Sequence, residues 1–131
     1  MWQEDRRPET RGSDLFGRRV SAADGSLPGA VFRVSGAVAT EDDELVSVVW
    51  NAASGEYLVV REYGDNRLLG RRVSAAGTPL GTEFTVANRG VAGAPKHQPE
   101  VAWNSADNEY LVVWFDDRAV RPHVFGRRLD G

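Results

Sequence analysis

Short apolar segments separated by polar turns run along the whole chain of 131 residues. The segments are rich in Val, Leu, Phe, Tyr and Trp and are bounded by Gly, Pro, Asn, Asp and Ser, which is typical of strands and turns. No stretch repeats apolar residues at i, i+3, i+4 and i+7, so we expect almost no helix. The central part predicts four strands, at about 45–51, 56–63, 68–74 and 83–87.

Less complete sets of the same strands are predicted on both sides of these four. The flanking segments have the same composition of β-branched and aromatic residues and the same kinds of turn residue between them. They therefore predict further sheets of the same type. The flanking strands are predicted at Trp2, 15–21 and 30–35 upstream and at 99–104, 109–116 and 123–129 downstream.

The strand sets repeat in sequence with a period of about 53 residues. The segment WNAASGEYLVV at 50–60 returns as WNSADNEYLVV at 103–113, and FGRRVSAAD at 16–24 returns as LGRRVSAAG at 69–77. A third copy, FGRRL at 125–129, follows at an offset of 56. A fixed period in this range indicates stacked supersecondary units, none of which buries its apolar surface alone.

Four short strands per unit, joined as a meander, match one blade of a β-propeller. We therefore predict an all-β, β-propeller-like array of four-stranded antiparallel blades, about two and a half in number and incomplete at both ends. Four or more blades normally close a ring, so self-association or further blades are expected to cover the open ends, and we favour a fragment of a longer array. The single repeat array divides into a partial blade at 1–38, a complete blade at 39–90 and a partial blade at 91–131, with linkers at 36–44 and 89–98.

These repeats resemble those of a family of large secreted or surface proteins of bacteria. The resemblance rests on PEVAWN at 99–104, NEYLVVWFDDR at 108–118 and the FGRRVSA block at 16–22. It implies propeller-like blades, an extracellular or cell-surface location and no assigned activity. The middle unit departs from the pattern, because Arg61 stands where the pattern has Trp and Tyr63 where it has the following Asp.

Composition excludes several classes of function. The formal net charge of −3 and the absence of a basic stripe argue against nucleic acid as a partner. No apolar run approaches the roughly 18 residues that cross a bilayer, and the first residues lack the apolar core of a signal peptide. The chain has no cysteine. Its histidines, His97 and His123, are isolated from a suitable nucleophile or ligand spacing, so we predict no enzyme, no metal site and no cofactor.

Three arginines occupy equivalent positions in the G-R-R blocks, namely Arg18, Arg71 and Arg127. Strand alternation places each of them between apolar neighbours, so each guanidinium group needs a carboxylate or carbonyls as partners. One hypothesis is a site for an anion or a sugar acid. The other is a structural Arg–Asp staple, which the presence of the motif in every unit favours. The candidate carboxylates in the nearby turns are Asp5, Asp65, Asp116 and Asp117.

Two tryptophans, Trp50 and Trp103, lie at equivalent positions before a predicted hairpin. Packed blades need large aromatic side chains between them, so the core is the favoured place for both. Aromatic faces near loops also stack on sugar rings. The leading hypothesis is a non-catalytic repeat module that binds a protein or a glycan or acts as a scaffold. The alternative is a lectin that binds glycans through Trp50 and Trp103 and whose short chains oligomerise into a closed propeller.

Overall fold

The computed structural model describes residues 1–4, 13–36, 43–64, 67–88, 95–117, 121 and 123–131, without the side chains of residues 3, 4, 43 and 44. Within these residues the chain forms β-strands and no helix. In chain order the strands are β1 (Trp2–Glu4), β2 (Asp14–Gly17), β3 (Phe32–Arg33), β4 (Asp43–Asn51), β5 (Glu56–Tyr63), β6 (Arg67–Ser74), β7 (Pro79–Ala87), β8 (Lys96–Asn104), β9 (Glu109–Asp116) and β10 (His123–Asp130).

The strands form three antiparallel sheets, in each of which neighbours in the sheet are also neighbours along the chain. The first sheet contains β1 to β3, the second β4 to β7 and the third β8 to β10. Gly55 (φ 68°) and Asn108 (φ 50°) lie in the left-handed region in the equivalent turns that enter β5 and β9. Glycine and asparagine adopt this conformation most readily, which explains these residues in tight turns. The prediction of an all-β chain with antiparallel sheets is confirmed.

The strand bounds agree best with the sequence pattern where a partner strand is long. β5 and β9 have the predicted bounds, but β2 ends at Gly17 instead of at 21 and β3 spans only Phe32–Arg33. Because Phe16 pairs with Trp2, residues of the described chain beyond Gly17 have no counterpart in β1. β7 begins at Pro79 instead of at 83, since its early residues pair with β6 before a register shift.

The central strand pairs of the three sheets share one register. β1, β5 and β9 pair with β2, β6 and β10 at the same repeat positions. Because side chains alternate between the two faces of a sheet, a shared register places equivalent repeat positions on equivalent faces. The matching cross-strand pairs are Trp2–Phe16, Arg61–Leu69 and Trp114–Phe125.

A glycine lies under a phenylalanine ring in each of the first two sheets. Gly17 pairs with Phe32, and Gly70 pairs with Phe84. A Cβ atom at position 17 or 70 would lie 2.7 Å or 2.5 Å from the respective ring, too close for an undisturbed contact. The equivalent Gly126 of the third sheet would meet nothing closer than 3.4 Å. Glycine is therefore a packing requirement in the first two sheets.

The second and third sheets pack face to face through a hydrophobic cluster. Leu58, Val60 and Leu68 of the second sheet are at most 1% exposed and belong to this cluster. Tyr110 and Val112 of β9 meet them from the third sheet. Full burial of an aliphatic side chain of this size contributes about 1.5–3 kcal/mol, so this junction is a major source of stability.

The other face of the second sheet packs against the first sheet. Val59 and Val73 form a second cluster with Leu15 and Val34, and all four side chains are at most 3% exposed. Val59 lies between two residues of the first cluster along β5, because successive side chains of a strand point to opposite faces. The central strand β5 of the second sheet is consequently buried on both faces between the two neighbouring sheets.

The third sheet is covered on one face only. Leu111, Phe115 and Val124 point away from the second sheet and are 49%, 41% and 64% exposed, and the half-buried Val113 lies among them. These four side chains define the outer face of the third sheet. Such a group of apolar side chains in solvent marks a surface that is suited to association.

Candidate binding surfaces

The two tryptophans singled out from the sequence lie in different surroundings. Trp50 is 39% exposed, and its ring centroid lies 4.7 Å from that of Tyr57. Trp103 is half-buried, packs against the cluster between the second and third sheets, and donates its Nε1–H to Asn108 Oδ1 at 3.1 Å. Trp103 faces the second sheet, whereas Trp50 faces the side of the short first sheet. Trp50 is thus the more accessible of the two to a ligand.

A cavity of about 410 Å³ opens between the first and second sheets. Among the residues that line it are the aromatic Phe32 and Tyr57 and the basic Arg18 and Arg19. Its volume falls within the range of small-molecule sites. Tyr57 also contacts Trp50, so Trp50, a candidate ligand-binding residue, lies beside the cavity that Arg18, expected to be a structural staple, helps to line.

The other two G-R-R arginines occupy the junctions between sheets. Arg127 donates from Nη1 to the carbonyl oxygen of Val86 at 2.8 Å and thereby connects the third sheet to the second. A backbone carbonyl is one of the two kinds of partner that its apolar neighbours led us to expect. Arg71 is half-buried, and its Nε atom has no hydrogen-bond partner within the described residues.

The acidic residues expected to staple these arginines have other neighbours in the structure. Asp116 is fully buried, and its carboxylate lies 3.5 Å from the ammonium nitrogen of Lys96, which is also buried. Asp117 is partly exposed, and its carboxylate lies 3.5 Å from Nε2 of His97. The Arg–Asp staple stays a prediction. Two of its members, Asp5 and Asp65, lie outside the described residues.

The second sheet contains a buried ion pair that the sequence did not predict. Its carboxylate also binds the backbone that follows the first sheet. Arg61 is 2% exposed and donates from Nε and Nη2 to Glu83 Oε1 at 3.0 Å and 2.8 Å. The other oxygen of Glu83 accepts the backbone N–H of Gly36, at the end of the first sheet, at 2.9 Å. The only signal in the sequence was the arginine itself, at a position where the repeat pattern has tryptophan.

The electrostatic surroundings of Arg61 explain why this pair tolerates burial. Loss of water lowers the pKa of the guanidinium group, while the Glu83 carboxylate and then Tyr63 and Asp14 act in the opposite direction. The Tyr63 ring also lies 5.0 Å from the guanidinium carbon, in a cation–π arrangement. Arginine keeps its charge under such conditions. The buried guanidinium group of Arg61 thus keeps its charge beside the Glu83 carboxylate, as expected of a structural contact.

Searches for metal sites, for membrane-spanning helices and for known relatives identify no further functional site. The described residues contain no group of three or more His, Asp or Glu side chains placed to hold a metal ion. No helix in the same part of the chain is long and apolar enough to cross a membrane. Comparisons of the chain with protein-family models, with curated proteins and with solved structures give no match.

Proposed function

We propose that the chain is a non-catalytic β-propeller-type repeat module that serves as a binding or scaffold segment of a bacterial secreted or surface protein. The three sheets then correspond to three blades, of which the middle one has all four strands. In this proposal the open faces at the two ends of the stack are covered by further units of the same type, from the same array or from a second copy of the chain. The extracellular location follows from the resemblance of the repeat blocks to those of bacterial surface proteins.

The observation that carries the proposal is the use of the same repeat positions at both junctions between sheets. Leu15 of the first sheet and Leu68 of the second are 53 positions apart, and each packs against the next sheet along the chain. Val34 and Val86 form a second such pair, each two residues after the phenylalanine that covers a glycine. An interface that repeats from unit to unit is the property of a stacked array.

A second candidate function is glycan binding, and the exposure of Trp50 favours it. Its indole lies against Tyr57, which also lines the cavity between the first two sheets. Aromatic faces stack on sugar rings, and the guanidinium group of Arg18 on the same wall suits an acidic sugar. In this alternative Trp103 contributes less to glycan binding, because its indole N–H already binds Asn108 and its ring packs against the hydrophobic cluster.

A glycan array probed with the labelled chain separates the two candidates. The scaffold proposal predicts no retained glycan and no released sugar or cleaved product. Retention of one glycan class that Trp50→Ala abolishes and Trp103→Ala leaves within about twofold would establish the lectin instead. Turnover of any arrayed glycan would contradict a non-catalytic module.

A further inference from the structure

The outer face of the third sheet reproduces, position by position, a face that the second sheet buries. Leu111 is equivalent to Leu58 at an offset of 53, and Val124 is equivalent to Leu68 at the offset of 56 that the G-R-R blocks give. Leu58 and Leu68 are 1% and 0% exposed, whereas Leu111 and Val124 are 49% and 64% exposed. The same apolar surface is thus covered in one sheet and open in the next.

The polar contacts at the edge of this surface are reproduced as well. Arg72 pairs with Glu56 of its own sheet and donates from Nη2 to the carbonyl oxygen of Asp130 across the junction at 2.9 Å. The equivalent Arg128 has the equivalent partner, Glu109, at 3.3 Å, and its side chain is 75% exposed. Among the described residues, Arg128 makes no counterpart of the bond from Arg72 to Asp130 of the neighbouring sheet.

One difference makes the open face more apolar than the buried one. Glu62 of the second sheet is 4% exposed and accepts the backbone N–H of Gln98 from the third sheet. Phe115 stands at the equivalent position of the third sheet and is 41% exposed. The partner of the outer face is therefore expected to present apolar side chains at this point instead of a backbone donor.

The structure also shows what kind of surface covers such a face. Trp114 and Phe125 are cross-strand partners in the third sheet and pack into the cluster against the second sheet. Trp2 and Phe16 are partners in the same register in the first sheet, and their rings are stacked with centroids 6.3 Å apart. Trp114 is 7% exposed, whereas Trp2 is 41% exposed. Phe16 itself is 8% exposed, so Trp2 is the member of this pair that the first sheet presents at the other end of the stack.

We propose that two copies of this chain associate head to tail, with the exposed Trp2 side chain of one copy seated on the outer face of the third sheet of the other. The inference rests on the stacked-repeat function proposed above and names its partner. A second copy is the chosen occupant because Trp2 stands in the register position of Trp114, which packs against the equivalent face within the chain. The contact is heterologous, so association continues either to a closed ring or to a filament.

Sedimentation velocity on the full chain over a wide range of concentration tests the proposal. The wild-type protein is expected to associate with increasing concentration. Val124→Glu blocks the outer face and Trp2→Glu blocks the opposite surface, and each is expected to weaken association at least about tenfold. Leu27→Glu is the matched control, because Leu27 is an exposed apolar residue outside both surfaces and is expected to change nothing.

Mixing the two blocked variants gives the sharpest result. Each keeps the surface that the other lacks, so an equimolar mixture is expected to form a one-to-one dimer and no larger species. A symmetric contact would leave the mixture no better associated than its components. Three results would each overturn the proposal, namely a wild-type monomer at every concentration, self-association of either variant at wild-type strength, and a monomeric mixture.

The failure of this inference is separable from the failure of the proposed function. Circular dichroism and unfolding of both glutamate variants establish that they fold. Leu15→Ala, at the junction between the first two sheets, tests the stack within one chain, because a buried leucine there is expected to contribute about 3 kcal/mol. If the chain is monomeric and Leu15→Ala destabilises it, head-to-tail association is contradicted and the stacked module is not. A chain indifferent to Leu15→Ala would contradict the stacked module itself.

Discussion

Strands β5 and β9 share the sequence EYLVV, yet equivalent side chains of the two strands differ greatly in solvent exposure. Leu58 of β5 is 1% exposed, whereas the equivalent Leu111 of β9 is 49% exposed. In β5 successive side chains are buried, because sheets cover both faces. In β9 burial alternates, and Tyr110 and Val112 are buried at 1% and 0%. Local sequence thus determines the strand and its register, while the neighbouring sheets determine which of its side chains stabilise the fold.

The largest expected contrast is between Leu58→Ala and Leu111→Ala. Truncation at Leu58 leaves a cavity between two sheets and is expected to lower the free energy of unfolding by about 3 kcal/mol. Leu111→Ala is expected to lower it by less than about 1 kcal/mol, since the side chain already contacts solvent. Guanidinium unfolding, at a concentration low enough for a monomer, measures both. Equal losses would show that the two faces are equally covered.

The next largest contrast is between the loss of stability on neutralising Glu83 and the loss on neutralising Glu109. Glu83→Gln leaves the buried Arg61 guanidinium beside a neutral amide and is expected to cost about 2 kcal/mol of unfolding free energy. Glu109→Gln removes a partner of Arg128, whose side chain is 75% exposed, and is expected to cost less than about 1 kcal/mol. Thermal and denaturant unfolding measure the difference. A larger loss for Glu109→Gln would be inconsistent with Glu83 as the connection between the first two sheets.

Alanine at the equivalent glycines gives the smallest contrast. A Cβ atom at Gly70 would lie 2.5 Å from the Phe84 ring, so Gly70→Ala must displace that ring and is expected to cost about 1.5 kcal/mol. At Gly126 the nearest atom would be 3.4 Å away, and Gly126→Ala is expected to be close to neutral. Differential scanning calorimetry resolves such a difference. Equal effects would remove the packing explanation for glycine in the repeat.

The apolar pattern and the turn residues were sufficient to predict an all-β chain with antiparallel sheets. The bounds of β5 and β9 follow from the apolar pattern and from the turn residues before them, such as Gly55 and Asn108. The first sheet was predicted less well. Residues after Gly17 look like strand residues, but strand pairing is a property of two segments, and β1 offers them no partner in the described chain.

The candidate sites were harder to predict because their partners are distant along the chain. Trp50 and Trp103 pair with the tyrosine at the same repeat position of the next strand, but their exposure depends on which sheet faces each of them. The partner of Arg61 is Glu83, on a different strand of the same sheet. Glu83 also binds the backbone N–H of Gly36, and this contact with the end of the first sheet could not be predicted from the sequence.

Native-state amide hydrogen exchange tests the central claim, that neighbouring sheets cover both faces of β5 and only one face of β9. The measurement compares the amides of Leu58, Val59 and Val60 with those of the equivalent residues in β9 at a concentration where the chain is monomeric. We predict that the β5 amides exchange at least about a hundredfold more slowly, because opening them requires separation of both junctions. Equal protection of β5 and β9, or stronger protection of β9, would contradict the account.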